Sequence, residues 1–269
     1  MIHYKSKEEI ELIRESCLLV SKTLTLVAEN ISFSNTGKHL DALAEEFIRD
    51  HGAVPGFKGY GGFPATLCIS KNENVVHGIP EDKPFKEGDI VSIDCGVFMN
   101  GFYGDCAYTF VFEGAAKETV KLCRVTNAAL YSAIDKVREG NRLGDIGFAV
   151  QNLTEKQNNY SVVRELVGHG IGRNLHEDPQ VPNYGRRGKG RKLEKGLVIA
   201  IEPMINLGGK NVVKSEDGWT IFAKDRKPSA HYEHSVAVTD EDPDILSDHK
   251  IIEDQIKKNE NLMDISRKK

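Results

Sequence analysis

Two aspartates in a predicted hairpin are the most informative chemical feature of the sequence. Asp94 and Asp105 lie in β-prone runs on either side of Asn100-Gly101, a dipeptide that favours a two-residue turn between antiparallel strands. That turn places Gly96 opposite Asp105, so Asp94 lies on the same face of the hairpin. We expect the two carboxyl groups to be diagonal neighbours, about 7–8 Å apart at the backbone, within reach of cations between them.

The residues around these aspartates are apolar, which disfavours a solvated strand surface, although ordinary surface charges remain the alternative interpretation. Two acids that converge on one buried face repel each other unless a cation compensates their charge. Gly96 also removes the side chain that would otherwise fill the space between them. The hairpin alone therefore indicates a cation site.

Three further residues could complete such a site. His169 lies between two glycines after an apolar run, where the backbone can approach a bound group closely. Glu202 and Glu233 lie in apolar runs, although glutamate is depleted in strands and costly to bury unpaired. One glutamate alone could form a structural ion pair, and one histidine could belong to the core. Four carboxylates and an imidazole together fit an oxygen-rich pocket for two divalent cations better.

The elements that must position these residues occur in the order helix, helix, strands, and this order occurs twice. Ser6 and Glu9 form a capping box for a first helix, and a second helix is expected from about Lys38 to a stop at Gly52. Strands are predicted over 66–70, 90–98 and 102–112. The second round has helices over 119–137 and around 146–153, and strands over 161–167, 196–201 and 231–238.

A weak internal match suggests two related halves with a shared site between them. At an offset of 103 residues it pairs Gly37, Leu40 and Leu43 with Gly140, Leu143 and Ile146. We expect residues 1–247 to form a single catalytic domain. Residues 248–269 are expected to be a charged C-terminal tail, either frayed or helical on the surface.

Composition excludes several classes of protein. Of the 269 residues, 39% are hydrophobic and 28% are charged, which is enough to bury a core without disulfides. A formal net charge of −4 argues against nucleic-acid binding as the main activity. No apolar run approaches the roughly 18 residues of a membrane span, the N-terminus lacks a signal-peptide pattern, and the five cysteines include no CxxC pair. We therefore expect a soluble, cytoplasmic enzyme.

Five segments carry a resemblance to a known family. They have the forms NxxVxHGIP (72–80), DxGxxxxGxxxD (94–105), GHGIG (168–172), IEPM (201–204) and YEH (232–234). In order and spacing they resemble the bacterial-type type I methionine aminopeptidases, which form subfamily A of peptidase family M24, over about residues 3 to 247. The resemblance implies an α+β pita-bread fold, in which two pseudo-symmetric halves enclose a dinuclear metal site.

The resemblance also assigns metal ligands. Asp94 is similar to the bidentate ligand of one ion, and Asp105 and Glu233 resemble the carboxylates that bridge both ions. His169 and Glu202 resemble the ligands of the other ion. The implied cofactors are two divalent ions among cobalt, iron, manganese and zinc.

The same resemblance assigns catalytic roles to three residues. Glu202 is expected to move a proton to the leaving amine as well as to bind metal. His77 and His176 are expected to stabilise the tetrahedral intermediate and to orient the scissile peptide.

The resemblance further implies a methionine pocket with apolar walls and polarisable atoms, which suit a thioether. Its expected lining residues are Tyr60, Phe63, Cys68, His77, His176 and Trp219. Tyr60 or Phe63 alone could instead be a loop aromatic that packs on the core. Three positions depart from the common family pattern: Phe57 replaces a small cysteine, Leu175 an aromatic residue and His231 a glutamine.

Two features concern further partners. Asn72, Asn74 and Ser229 match a monovalent-cation site of bacterial family members, which implies one such ion. The run 186–192 carries five basic residues in a near-neutral chain. A solvated loop is the favoured interpretation of this run, and contact with ribosomal RNA is the alternative.

The sequence thus predicts an enzyme that removes the initiator methionine from nascent proteins, with a preference for a small second residue. We expect a monomer without membrane or specific DNA partners. An X-Pro aminopeptidase or prolidase has a similar ligand set but usually carries an extra N-terminal domain. A non-enzymatic binding module of the same fold would lose the ligands, whereas this sequence keeps all five.

Overall fold

In the computed structural model, which describes residues 2–265, each half of the chain runs through two helices before its principal strands, as predicted. The helices are α1 (Lys7–Asn30), α2 (Gly37–Asp50), α3 (Lys117–Ile134), α4 (Leu143–Gln151) and α5 (His249–Ile256). The strands are β1 (Val54–Pro55), β2 (Leu67–Lys71), β3 (Asn74–Val76), β4 (Ile90–Met99), β5 (Phe102–Val111), β6 (Ser161–Val162), β7 (Gly168–Gly170), β8 (Glu177–Val181), β9 (Val198–Ile201), β10 (Met204–Asn206), β11 (Val212–Lys214), β12 (Ile221–Ala223), β13 (Ser229–His231), β14 (His234–Ala237) and β15 (Asp244–Ile245).

The capping box at the start of α1 forms as predicted. The Ser6 hydroxyl accepts the Glu9 N–H at 3.2 Å, and the Glu9 carboxylate accepts the Ser6 N–H at 3.0 Å. These bonds satisfy N–H groups at the helix start that have no partner within the helix. Apolar side chains at helical spacing, among them Ile13, Val20 and Leu24, are fully buried. This face packs α1 against β4 and β5.

The strands β4 and β5 form the long antiparallel hairpin that carries both aspartates. The Asn100-Gly101 turn has φ angles of 54° and 84°, as a type I′ turn requires. Gly96 pairs with Asp105, which confirms the predicted register. On the other edge of β4, the strand β2 places Cys68 opposite Asp94.

A second sheet, in the order β15-β14-β9-β7-β8, meets this hairpin along β5. The Glu233 N–H donates to the Ala107 carbonyl at 2.9 Å, and the Ser235 hydroxyl donates to the Asp105 carbonyl at 2.9 Å. These bonds bring Glu233 alongside Asp105, although the two residues come from opposite halves of the chain.

The second helices of the two halves begin 106 residues apart, which differs from the offset of 103 in the sequence match. The helix α2 follows the N-cap residue Thr36, and α4 follows the N-cap residue Arg142 (142 − 36 = 106). Each of these N-cap residues also forms an isolated β-bridge with a later loop. The match of Gly37 with Gly140 fails because Gly37 starts a helix, whereas Gly140 lies in the loop before one, at a φ of 91°.

Two predicted strands of the second half are shorter than expected. The run 161–167 is a strand only over Ser161–Val162, and the run 231–238 is interrupted between β13 and β14. The interruption arises because the Glu233 N–H bonds to β5 instead of to a neighbour in its own sheet. Glu233 therefore lies between two strands, at the junction of the halves.

The segment after residue 247 is predicted as a charged tail, either frayed or helical on the surface, and its described part contains a helix with a buried face. The helix α5 buries His249, Ile252 and Ile256, and it packs against α1. Leu262 and Ile265 are also buried. The rest of the predicted tail, residues 266–269, lies outside the described residues.

No helix within residues 2–265 combines the length and apolarity needed to cross a membrane.

Candidate metal centre

The hairpin and the second sheet enclose a cavity of about 130 Å³. All predicted site residues line it: Tyr60, Phe63, Cys68, His77, Asp94, Asp105, His169, His176, Glu202, Trp219 and Glu233. Phe57, Val76 and Leu175 complete the wall. A larger depression of about 420 Å³ lies elsewhere, beside β3 and β12, and is lined by other residues. The smaller cavity is therefore the candidate site, because it gathers the titratable groups.

Four carboxyl groups meet in this cavity. Burial raises the pKa of Asp94 to about 7, and burial together with neighbouring acids raises the pKa of Asp105 and of Glu233 well above its usual range. Burial and the Asp94 carboxyl raise the pKa of Glu202 in the same way. No lysine or arginine forms an ion pair with these acids within residues 2–265. The cluster therefore needs either protons or external cations to be stable.

Several oxygen atoms of this cluster are orphaned. Asp94 Oδ1, Asp105 Oδ1 and Glu233 Oε1 are buried without a hydrogen-bond partner in the described residues. Nearly all buried polar atoms in native proteins have a partner, so such oxygens indicate that a further group completes the site. Carboxylate oxygens are ligands that divalent cations accept readily.

His169 presents a nitrogen to the same acids. Its Nδ1 lies 2.9 Å from the Gly170 carbonyl, and its Nε2 lies 3.5 Å from Glu202 Oε1 and 3.9 Å from Asp105 Oδ2. Burial lowers the pKa of His169 to about 3, which leaves the imidazole neutral. Since Nδ1 donates to the carbonyl, the lone pair is on Nε2 and faces the cluster.

The donor set fits divalent metal ions. Ligand atoms of Asp105, His169 and Glu233 lie within 4.8 Å of one another, a spacing that one ion can bridge. Orphaned oxygens, acids without a cationic partner and a neutral imidazole are the features that such an ion would satisfy. The chain's own residues therefore support the use of divalent metal.

His231 lies behind Glu202, outside the cavity lining. Its Nε2 is 3.8 Å from Glu202 Oε2 and has no hydrogen-bond partner within the described residues. Burial lowers the pKa of His231 to about 3, so the side chain is neutral. The replacement of the family's common glutamine by His231 therefore bears on how the carboxyl group of Glu202 is oriented.

Aromatic side chains form the rest of the wall. Phe63 meets Trp219 edge-on, with ring centroids 5.2 Å apart. The Tyr60 hydroxyl lies 2.8 Å from His176 Nδ1, so the loop aromatic also orients a predicted catalytic histidine. The T-shaped contact of His176 with His169, at 4.3 Å between centroids, joins this wall to the acid cluster.

Phe57 fills the space that Gly96 leaves open. A Cβ atom at Gly96 would lie 2.5 Å from the Phe57 ring, so the glycine is required for this ring position. The space that the sequence predicts at Gly96 is therefore occupied, at least in part, by a neighbouring aromatic side chain. Leu175, the other departure in the pocket, packs in the same apolar cluster as Phe57.

His77 has a strained backbone. Its φ of 58° lies in the left-handed region, which costs a non-glycine residue about 1–2 kcal/mol and is typical of functional sites. Burial, followed by His176, lowers the pKa of His77 to about 4. Next to it, Gly78 has no room for a side chain, because a Cβ would overlap the Ile69 carbonyl. The loop is therefore fixed with a neutral imidazole at the cavity.

One supporting contact was missed by the sequence analysis. Lys5 Nζ lies 2.7 Å from Glu177 Oε2, and the two side chains are only 3% and 4% exposed. Glu177 follows His176 directly and also accepts the Asn174 N–H at 3.1 Å. An acid after a candidate histidine was visible in the sequence, but no local pattern joins it to a lysine 172 positions away.

The predicted monovalent-cation residues lie together beside β3. The Asn72 carbonyl accepts the Ser229 N–H at 2.9 Å, and the Asn72 side chain bonds to Asp89 and to the Ile90 N–H. Asn74 starts β3. The expected ion stays a prediction.

The basic run at 186–192 is exposed and ordered by α4. The Lys189 carbonyl accepts the Gly144 N–H at 2.9 Å, and the Arg187 guanidinium lies 4.4 Å above the Phe148 ring. Its remaining charges therefore face solvent.

Comparison with known proteins places this chain in a family. Residues 11–240 match metallopeptidase family M24. The methionine aminopeptidase of Clostridium perfringens is 49% identical over 247 residues, which are 92% of this chain and 99% of that protein. The crystal structure of methionine aminopeptidase from Rickettsia prowazekii has a TM-score of 0.90 and 40% identity, covering 92% of this chain and 100% of its own. The prolidase from Pyrococcus furiosus, at 22% identity and a TM-score of 0.74, covers 91% of this chain and 65% of its own and shares the fold alone.

Proposed function

The chain belongs to metallopeptidase family M24, and on that premise we propose that it is a methionine aminopeptidase with the pita-bread fold. The observation that carries the proposal is one cavity that joins four buried carboxyl groups and an imidazole to an aromatic wall. The acids supply a site for hydrolysis, and the wall supplies a pocket for one apolar side chain. The relatives at this identity are methionine aminopeptidases over nearly their full length, which favours this function over that of a prolidase.

Five residues would hold two divalent metal ions. They are Asp94, Asp105, His169, Glu202 and Glu233, all of which line the cavity, and the ligand atoms of Asp105, His169 and Glu233 converge most closely. When bound, the ions polarise the scissile carbonyl and make a water acidic enough to supply hydroxide near neutral pH. The mixed oxygen and imidazole set accepts cobalt, iron, manganese or zinc, and metal analysis of protein purified without added metal identifies the ion used.

Glu202 is positioned to move the proton of the reaction. Its carboxyl group lies between His169 and His231, at 3.5 Å and 3.8 Å, and it is held at the end of β9 by the packed sheet. It takes a proton from the attacking water and delivers it to the leaving amine. Because Glu202 lines the cavity, its carboxyl group can reach both of these groups.

His77 and His176 would bind the peptide on the opposite side. The Tyr60 hydroxyl lies 2.8 Å from Nδ1 of His176. When Tyr60 donates in this contact, the neutral imidazole carries its proton on Nε2 and can donate to the carbonyl oxygen as negative charge develops there. Burial also keeps His77 neutral, which leaves it one N–H to donate. Neither histidine should be needed to retain metal, because neither belongs to the group of residues whose ligand atoms converge.

The aromatic wall would select the first residue of the substrate. Tyr60, Phe63 and Trp219 enclose an apolar space beside Cys68 that suits a flexible thioether side chain. The cavity is small, and Phe57 narrows it above Gly96. We expect cleavage after methionine in nascent proteins, with a preference for a small second residue.

A peptide assay tests this function. The enzyme should release free methionine from Met-Ala-Ser and leave Ala-Pro-Ala intact when manganese, iron, cobalt or zinc is supplied. Cleavage of Ala-Pro-Ala alone would favour the X-Pro aminopeptidase, and cleavage of neither peptide by metal-loaded protein would exclude both. The variant His176→Ala separates the roles: it should retain both metals and lose turnover, and loss of metal would contradict the assignment.

The basic run is proposed to contact ribosomal RNA, which would place the enzyme near emerging chains. Its charges are Arg186, Arg187, Lys189, Arg191 and Lys192. Neutralising all five should weaken co-sedimentation with ribosomes at low salt, and high salt should have the same effect on the unaltered protein. Equal binding by both proteins would leave the loop as a solvated surface. The expected monomer is tested by size exclusion in the same preparation.

A further inference from the structure

A second group of metal-binding residue types lies behind the carboxyl cluster. Cys106 follows Asp105 and His234 follows Glu233, and successive residues of an extended chain point to opposite faces. His249, the first residue of α5, reaches the same place. Cys106, His234 and His249 are 0%, 1% and 2% exposed. The side of β5 that faces away from the cavity is therefore lined by sulfur and nitrogen ligands, whereas the cavity side is lined by oxygen ligands.

The spacing of these ligand atoms suits one ion. Atoms of Cys106, His234 and His249 lie within 4.8 Å of one another, and Cys106 Sγ is 3.3 Å from His249 Nε2. In a tetrahedral zinc site, bonds of about 2.3 Å to sulfur and about 2.0–2.1 Å to nitrogen put such atoms roughly 3.5 Å apart. The two imidazole centroids are 3.7 Å apart. Small side-chain rotations would therefore bring all three atoms to one ion.

One ring nitrogen of the group has no hydrogen-bond partner among the described residues, and it is not the nitrogen that contacts Cys106. His249 Nδ1 is buried without a hydrogen-bond partner in residues 2–265. His234 Nδ1 lies 2.7 Å from the Ser247 hydroxyl, a contact that fixes the ring as second-layer partners of metal ligands do. The Tyr131 hydroxyl, 3.1 Å from His234 Nε2, belongs to a side chain that is 38% exposed. Tyr131 therefore links this buried group to the protein surface.

We propose that Cys106, His234 and His249 supply three ligands of a zinc site that is separate from the dinuclear centre. A thiolate with two imidazoles selects zinc over the magnesium, calcium or manganese that all-oxygen sites prefer. Binding transfers the Cys106 thiol proton to solvent, and the S–H bond to the Glu233 carbonyl, now 3.0 Å long, is exchanged for a bond to the ion. The site ties α5 to β5 and to the segment that holds Glu233.

Cobalt substitution tests the proposal, because a thiolate ligand gives cobalt(II) an intense near-ultraviolet charge-transfer band that oxygen and imidazole ligands do not give. Metal-free full-length protein titrated with cobalt(II) should develop this band with a stoichiometry of one. Cys106→Ser should abolish it, and His249→Gln should weaken the binding that it reports at least tenfold. Cys68→Ser is the matched control, since Cys68 is the thiol that lines the dinuclear cavity, and the band should persist in it.

Zinc content gives an independent readout. Protein dialysed against zinc and then against buffer should hold one equivalent more than the Cys106→Ser and His249→Gln variants. If Cys106→Ser does not fold, the His249→Gln comparison still decides. Absence of the charge-transfer band in the unaltered protein, or its persistence in Cys106→Ser, would overturn the site without affecting the peptidase assignment, which rests on the other face.

Discussion

The two faces of β5 and of the Glu233-His234 peptide show how strand alternation sorts neighbouring residues into different chemistries. Asp105 and Glu233 point into a cavity with orphaned oxygens, whereas Cys106 and His234 point into packed protein beneath α5. The acids have no lysine or arginine partner in residues 2–265, while the sulfur and nitrogen atoms, apart from His249 Nδ1, have hydrogen-bond partners within the protein. Asp105 with Cys106 in the first half, and Glu233 with His234 in the second half, thus contribute to both the acidic cavity and the packed side.

This arrangement depends on register. Because side chains alternate with a period of two, a shift of β5 by one residue would exchange the thiol for the carboxylate in the cavity. The hairpin turn at Asn100-Gly101 and the Glu233 N–H bond to Ala107 fix the register on the two sides. The register of β5 therefore determines that the carboxylate, whose charge needs a cation or a proton, points into the cavity and that the thiol points away from it.

The largest effect is expected from breaking the cavity face. Asp105→Asn removes a proposed metal ligand, so activity on Met-Ala-Ser should fall by about 1,000-fold or more. The metal-free variant should nevertheless unfold at higher urea than the parent, because one buried acid of the cluster is gone. Asp135→Asn, an exposed aspartate beyond α3, is the control and should change neither quantity. A metal-free Asp105→Asn protein that is less stable would contradict the electrostatic account of this face.

Glu177 allows the contribution of a buried, cation-paired carboxylate to the free energy of unfolding to be measured. Lys5→Met leaves this acid buried and unpaired, which should lower the free energy of unfolding by about 3–5 kcal/mol. Arg173→Met breaks an exposed pair with Glu9 and should cost less than about 1 kcal/mol. Urea unfolding of the two variants measures the difference. Equal losses would mean that burial does not set the cost of an unpaired acid in this molecule.

The pH dependence of the metal-free protein should reveal the cavity acids directly. Their raised pKa values, about 7 for Asp94 and higher for the others, make the folded chain hold protons that the unfolded chain releases near pH 4. The free energy of unfolding should therefore fall by about 2–4 kcal/mol from pH 7 to pH 9, and saturating divalent metal should remove this slope. Buried neutral histidines such as His169 act oppositely, but below about pH 6.5. Stability that rises with pH in this window would exclude the protonated cluster.

How much of this was available from the sequence differs between the two faces. The Asn100-Gly101 turn made the cavity pairing of Gly96 with Asp105 predictable, because a hairpin turn sets the register locally. The position of His249 was not predictable, since an expected tail packs as α5 only when a hydrophobic surface elsewhere in the chain receives it. Phe57 above Gly96 is a similar case. Local sequence patterns therefore predicted residues that line the cavity, whereas packing between distant segments determines what surrounds them.

The smallest effect should come from the packed face, and it distinguishes a hydrogen-bonded thiol from a merely buried one. Cys106→Ala in the metal-free protein loses the S–H bond to the Glu233 carbonyl as well as the packing of the sulfur atom, which should cost about 1–2 kcal/mol. Cys123→Ala removes an equally buried thiol in α3 and supplies the packing cost alone. Urea unfolding of both variants therefore isolates the bond to Glu233. A Cys106→Ala protein as stable as Cys123→Ala would show that this face contributes packing only, and that Glu233 is held by its N–H bond to Ala107.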